Sequence, residues 1–178
     1  MKTYVVLIRG INVGGRNVLL MKELAALLDD LGCEHIKTYI QSGNVVLQNK
    51  NMNAAQLSTI IPLEVKKRRG FEPNVLILER KELEHIAEKN PFPEAESDPK
   101  SLHVGFLDSI PGFPDLEKLE SLRAESERFH LSERAFYLHA PNGVGRSKLA
   151  ANTEKLLGVS MTSRNWRTVA KIVSMLSP

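Results

Sequence analysis

The sequence predicts an α+β protein made of two related ferredoxin-like, βαββαβ-type subdomains in tandem, the second incomplete. Three observations predict it. Over residues 1–90, strand-like apolar runs and helix-period segments follow one another in the order βαββαβ. A junction over residues 91–100 then breaks the pattern, holding three of the nine prolines. Residues 101–178 repeat β-α-β-β-α and end on helices where the first half has its last strand.

Taken in order, Thr3–Arg9 holds the unbroken apolar run Tyr4-Val5-Val6-Leu7-Ile8, which reads as a strand. A glycine-rich loop runs from Gly10 to Asn17. Leu24, Leu27, Leu28 and Leu31 then recur at helical spacing until Gly32 stops the helix. His35–Gln41 and Asn44–Gln48 read as strands joined through Ser42-Gly43. The next helix covers Asn53 to Arg69, with Asn53 as N-cap and Gly70 as terminator. Pro62 removes a donor from its interior and is expected to kink or shorten it. Asn74–Glu79 is a further strand and Arg80–Lys89 a short helix. Past the junction, Ser101–Asp108 reads as a strand, Asp115–Arg123 as a helix, and Arg128–Ser132 with Arg134–Ala140 as a hairpin. Ser147–Leu157 and Ser163–Leu176 complete the chain as helices. Residues 4–8 and 75–78 are apolar at both alternating positions, so something must cover the second face of the first sheet. The other half of the chain is the expected cover, and a homodimer partner the next.

The 178 residues are 42% hydrophobic and 25% charged, an ordinary globular composition. No apolar run approaches the ~20 residues that span a bilayer, and the N-terminal segment does not read as a signal peptide. Cys33 is the one cysteine, so no internal disulfide forms and a reduced, cytoplasmic protein is expected. The net charge of +3 is unevenly spread. Residues 91–144 carry 5 basic and 10 acidic side chains, whereas residues 145–178 carry 6 and 1. That basic tail suits phosphates, nucleic acid or an acidic partner; alternatively, it neutralises the acidic segment within the fold.

Three segments hold candidate binding residues. The first is Arg9-Gly10-Ile11-Asn12-Val13-Gly14-Gly15-Arg16-Asn17, between a strand and a helix. Glycines let backbone N–H groups turn toward a ligand, and arginine forks onto phosphate or carboxylate oxygens. The spacing matches no dinucleotide or Walker motif, so no cofactor follows, and a long connection needing positive φ is the plainer account. The second is Asn142-Gly143-Val144-Gly145-Arg146-Ser147-Lys148, whose end imitates a phosphate loop. Ala140 occupies its first glycine position and Arg146 its lysine position, which argues against a nucleotide triphosphatase. Ser147 as a plain N-cap is the simplest account. The third is Thr162-Ser163-Arg164-Asn165-Trp166-Arg167-Thr168. Trp166, Val169, Ala170, Val173 and Leu176 form a core stripe there, while Arg164, Arg167 and Lys171 share a neighbouring face. Cations in a first helical turn oppose the dipole and need a partner, either a carboxylate or a ligand phosphate.

Other features read as structure. Gln41-Ser42-Gly43-Asn44 is a hairpin turn, expected at the opposite end of the sheet from the Arg9–Arg16 loop. Lys66-Lys67-Arg68-Arg69 suits a helix C-terminus. His103, His130 and His139 lie on three strands without supporting metal spacing, so no metal site is assigned. Cys33 is expected to be inert.

Tyr4-Val5-Val6-Leu7-Ile8-Arg9-Gly10-Ile11-Asn12-Val13-Gly14-Gly15 and Thr38-Tyr39-Ile40-Gln41-Ser42-Gly43-Asn44-Val45-Val46 resemble an uncharacterised bacterial family, domain of unknown function 1697. Asn90-Pro91-Phe92, Gly145-Arg146-Ser147-Lys148 and Thr162-Ser163-Arg164-Asn165-Trp166-Arg167-Thr168-Val169 match it in the same order. Leu20 departs from the family pattern, where a proline is expected before Met21. The resemblance covers essentially the whole chain and implies a cytosolic α+β fold of two related subdomains; it implies no activity. It also draws Gln41, Ser42 and Asn44 into the candidate binding surface.

The sequence therefore points to binding of an anionic ligand, a phosphorylated small molecule or a nucleic-acid backbone, at the Gly/Arg-rich loops. The reading rests on Arg9, Arg16, Arg146, Lys148, Arg164 and Arg167 meeting in one pocket. An enzyme acting on a phosphorylated or carboxylated substrate is one alternative, although no catalytic triad, carboxylate pair or metal signature supports it. A protein-interaction module or homodimer is the other.

Overall fold

The computed structural model describes residues 1–177. Among them are two four-stranded antiparallel sheets and six α-helices, in two units: Met1–Ala87 with Lys171–Pro178, and Glu88–Ala170.

The first unit contains β1 (Lys2–Arg9), α1 (Met21–Asp30), β2 (Glu34–Tyr39), β3 (Asn44–Asn49), α2 (Ala54–Arg69), β4 (Asn74–Glu79) and α3 (Arg80–Glu88). Its strand order is β2-β3-β1-β4. Tyr4, Val6 and Ile8 of β1 pack with Leu24, Leu27 and Leu28 of α1 and with Leu57, Ile61 and Val65 of α2. Val5, Leu7, Leu76 and Leu78, at the alternate positions, are buried too, in keeping with strands apolar on both faces.

Capping fixes the helix ends. Asn53 Oδ1 accepts from Gln56 N–H at 2.9 Å while Gln56 Oε1 accepts from Asn53 N–H at 2.9 Å, and Gly70 closes α2 in the left-handed region. Pro62 does not shorten α2, which runs from Ala54 to Arg69. Its ring is buried on the same face as Leu57, Ile61 and Val65, and that apolar contact offsets the lost donor. Leu20 leaves the start of α1 intact as well, because Glu23 Oε2 accepts from Leu20 N–H at 3.2 Å.

The second unit contains a 3₁₀ turn (Pro93–Ser97), β5 (Leu102–Leu107), α4 (Leu116–Leu122), β6 (Arg128–Ser132), β7 (Ala135–His139), α5 (Lys148–Leu157), β8 (Met161–Asn165) and the first half of α6 (Trp166–Met175). Its strand order is β6-β7-β5-β8. The second half is therefore not missing its last strand: β8 pairs antiparallel with β5, Leu107 opposite Met161 and His103 opposite Asn165. The helix expected from Ser163 starts at Trp166 instead, because Asn165 Oδ1 caps it by accepting from Thr168 N–H at 3.0 Å. In α6, Trp166, Val169, Ile172 and Leu176 are buried and Ala170 is exposed, so Ile172 replaces Ala170 in the expected stripe. Within the first unit, the carbonyls closing α6 are held by Lys37 Nζ, which donates to Met175 O and Ser177 O, and by Arg80 Nη1, which donates to Leu176 O.

Candidate functional site

In the first unit the loop after β1 is organised by Asn12, which takes the left-handed backbone at φ 55°. Its Oδ1 accepts from Leu19 N–H at 2.8 Å, and its Nδ2 donates to Leu19 O at 2.8 Å and Gln41 O at 2.7 Å. These bonds bring the 40–43 turn beside the 10–17 loop, which corrects the expectation that they lie at opposite ends of the sheet. Because β3 is antiparallel to both β1 and β2, β1 and β2 run parallel and finish at the same end.

Gly43 sits there at φ 79°, where an added Cβ would stand 2.6 Å from Ile8 Cβ, and its carbonyl accepts from Ile8 N–H at 2.8 Å. Asn44 is buried and donates to Tyr39 O and Ser42 Oγ, so the Ser42-Gly43-Asn44 segment holds the turn closed. Gln41 is exposed. Gly10, Gly14 and Gly15 take positive φ with open space over their α-carbons. Arg9 and Arg16 are exposed, and the Arg16 side chain makes no ion pair or hydrogen bond among the described residues.

The second unit holds a cleft of about 320 Å³ between its sheet and α5. Its sheet wall carries His103 and Gly105 of β5, Phe136 and Leu138 of β7, and Met161 and Ser163 of β8. Ala150, Ala151 and Thr153 of α5 form the facing wall, and Val144, Gly145 and Ser147 contribute the loop before that helix. Ala150 and Ser163 contribute only small side chains, and the Met161 side chain lies over Gly105, its Sδ 2.3 Å from where a Cβ would stand. Ser147 Oγ accepts from Ala150 N–H at 3.0 Å and caps α5.

His103 is the polar group that stands out. Its Nδ1 is buried without a hydrogen-bond partner, alone in that respect among side-chain N and O atoms of the described residues. Burial holds its pKa below the ordinary histidine value of 6.5, against a smaller opposing effect from the Ser101 backbone. An unmet buried nitrogen costs roughly 1–3 kcal/mol.

The cations are distributed as follows. Arg9 and Arg16 belong to the first unit and Arg146, Lys148, Arg164 and Arg167 to the second. No lysine or arginine side chain lines the cleft. Arg146 and Lys148 flank Ser147, are exposed and make no ion pair among the described residues, and neither does the Arg167 side chain. Arg164 lies on β8 and not in a helical first turn; burial lowers its pKa to about 10, and its Nη1 donates to Ser163 O at 3.0 Å. Thr162 is buried, and Asn165 serves as the α6 cap.

The 66–69 run is internally matched: Lys66 pairs with Glu72, Lys67 with Glu64, Arg68 with Asp30 and Arg69 with Glu23. Cys33 is buried, with its thiol pKa raised by burial. No group of three or more histidine, cysteine or acidic side chains among the described residues is placed to hold a metal. None of their helices is long and apolar enough to cross a membrane.

Gly145 and Ser147 of the cleft are among the candidate residues read from the sequence and Ser163 lies within the third candidate segment, but Gly105 and Thr153 were missed, and His103 was given only as a weak metal candidate. A lone glycine inside the apolar strand 102–107 was the available signal for a cleft.

Comparison with known proteins agrees with the motifs. A family model described as protein of unknown function (DUF1697) matches residues 1–137. The match ends before Gly145-Arg146-Ser147-Lys148 and the 162–169 motif. A solved structure described as that of conserved bacterial protein SP0830 from Streptococcus pneumoniae superposes with a TM-score of 0.69 at 25% identity, over 99% of each chain. No curated protein matches. The chain belongs to the DUF1697 family.

Proposed function

We propose that the protein binds a small organic anion at the cleft of its second unit. In this reading the anionic group meets Arg146 and Lys148, and the ligand body lies on Phe136, Leu138 and Met161. The observation that carries it is the cleft itself, bounded by Gly145 and Ser147 of a loop whose two cations have no ion pair among the described residues. A charge left without a protein partner is available to a ligand oxygen. Ligand pockets run from about 300 to 1,000 Å³, so 320 Å³ favours a compound of about one ring over a nucleotide.

Two further readings go with it. Both units are ferredoxin-like, supported by the shared βαββαβ element order and the matching strand orders β2-β3-β1-β4 and β6-β7-β5-β8. A cytoplasmic location is supported by the lone buried thiol.

The test is titration with benzoate by ligand-observed NMR, on wild type and on the R146A/K148A double variant. We expect saturable binding that is about 10-fold or more weaker in the variant, the loss anticipated for charge-assisted hydrogen bonds. Equal affinities would sink the reading. A nucleic-acid backbone is the second anion, favoured by the exposed side chains of Arg16 and Arg167, without an ion pair among the described residues. It requires retention of single- or double-stranded DNA that falls steeply as salt rises.

A further inference from the structure

We propose that the protein associates with a second copy of itself, the loop between β5 and α4 of one copy docking on the 10–20 loop and the 40–43 turn of the other. Nine large hydrophobic side chains are exposed among the described residues, and all but Met1 and Leu63 fall in these two places. In the first unit they are Val13, Val18, Leu20 and Ile40. The bonds from Asn12 to Leu19 and Gln41 tie their loops together. In the second unit they are Ile110, Phe113 and Leu116, and Phe113 is exposed over its whole surface. Apolar groups gathered in this way mark contact surfaces, whereas singly scattered ones need no account.

Both places hold these side chains out on a fixed backbone. The 108–115 loop is anchored at its ends, where Asp108 N–H donates to Ser160 O at 3.1 Å and Asp115 N–H to Leu156 O at 2.9 Å. Pro111 and Pro114 restrict the backbone between them, so Phe113 loses little freedom on docking. Ile40 takes the left-handed backbone at φ 48° with its side chain exposed. A β-branched residue is strained there and an exposed one recovers little burial, so a contact made outside the chain accounts for it.

Charge selects a second copy as the occupant. Residues 9–22 hold Arg9, Arg16 and Lys22 and no acidic residue, whereas residues 108–117 hold Asp108, Asp115 and Glu117 and no basic one. All six are exposed. Each apolar set therefore carries charges opposite in sign to the other's, which favours pairing between the two sets over pairing of either with itself. A reciprocal exchange closes a two-fold dimer. The inference is independent of the cleft and its ligand.

The experiment is sedimentation equilibrium of the full chain from micromolar to millimolar concentration, on wild type, Phe113→Ala, Ile40→Asn and an equimolar mixture of the two variants. We expect reversible association of wild type that weakens as salt rises and that each variant weakens by about 10-fold or more, as loss of a central apolar anchor does. Both variants should fold, since Phe113 has no burial to lose and asparagine tolerates the left-handed backbone at position 40. In the mixture, Ile40→Asn still offers its 108–115 loop to the intact 10–20 loop and 40–43 turn of Phe113→Ala, so part of the association should return. A wild type that stays monomeric at millimolar concentration overturns the proposal. Loss in one variant alone, with no recovery on mixing, would mean that like loops pair with like, and overturns it also. Association indifferent to salt, or left unchanged by both variants, does the same.

Discussion

The first strand of each unit presents three positions to its helices: Tyr4, Val6 and Ile8 in β1, and His103, Gly105 and Leu107 in β5. The register aligns them, since Leu7 lies opposite the first residue of β3, Asn44, as Phe106 lies opposite the first residue of β7, Ala135. On the neighbouring strand Val6 faces Ile77, whereas Gly105 faces Ser163. One unit fills this place with a side chain of its own first strand; in the other, Met161 of β8 lies over Gly105 and a cleft opens beside it. Fully burying a valine or isoleucine side chain is worth about 1.5–3 kcal/mol, so the second unit forgoes stabilisation at two adjacent positions. A backbone plan that builds a solid core in one place builds a cleft in another when two side chains shrink, which is the usual trade between stability and a binding site.

Matched leucines test this most strongly. Leu47 lies opposite Tyr4, and Leu138 lies opposite His103 at the corresponding place. Leu47→Ala removes contacts in a filled interior and should destabilise its unit by about 3–5 kcal/mol, the upper part of the range for such truncations. Leu138→Ala borders a cleft already open to water and should cost about 2 kcal/mol. Hydrogen exchange of the sheet amides, read unit by unit, measures both. Equal losses would mean that the two interiors are equally filled in solution.

Paired glycines give a smaller contrast. In Gly43→Ala the new methyl would stand 2.6 Å from Ile8 Cβ and 3.0 Å from Ile8 O, at a backbone φ of 79°. Both the crowding and the left-handed conformation oppose it, and about 2–3 kcal/mol should be lost. In Gly105→Ala the methyl would stand 2.3 Å from Met161 Sδ and 2.8 Å from its Cγ, closer than the Gly43 contact, but the Met161 side chain is flexible and borders the cleft, so it can shift. A loss of about 1 kcal/mol is expected, together with weaker benzoate binding because the cleft narrows. Chemical denaturation gives the first quantity and NMR titration the second.

How much of this was legible in the sequence follows from which residues carry local signals. Asn53, Gly70 and Ser147 declare helix ends by their own chemistry, and structure places caps at all three. The run at 4–8 declares a strand through its composition. β8 was hidden because Met161-Thr162-Ser163-Arg164-Asn165 is short and largely polar, and the buried stripe from Trp166 onward drew the helix back over it. Asn165 was the available boundary mark. The end of the sheet that carries the Gln41–Asn44 turn depends on strand direction, which no local pattern records. The cleft was hidden for a different reason: it consists of volume that Ala150 and Ser163 do not fill, and the sequence shows residues more readily than gaps.

Removing a cap tests whether the cleft wall depends on its helix start. Ser147→Ala deletes the acceptor for Ala150 N–H and should cost about 1 kcal/mol, as should Asn53→Ala at the start of α2. The consequences then diverge. Loosening α5 disturbs Ala150 and Ala151 on the cleft wall, so Ser147→Ala should also weaken benzoate binding, whereas Asn53→Ala should leave it unchanged. Equal effects of the two variants on binding would place the ligand away from α5.

The smallest effect concerns pH and separates a buried neutral histidine from a hydrated one. The His103 pKa in the folded protein lies below the unfolded value near 6.5 because burial disfavours the imidazolium. Between those two values the unfolded chain binds more protons than the folded one, so stability falls as the pH drops below about 6.5 and is fully retained above it. The first unit places Tyr4 at the corresponding position and has no histidine there. Urea denaturation at pH 8 and pH 5 should therefore show a larger loss in wild type than in His103→Phe, with the difference confined to the second unit. If both proteins lose stability equally, the His103 ring is already hydrated in solution, and the unmet Nδ1 that distinguishes this cleft from the filled interior of the first unit is absent.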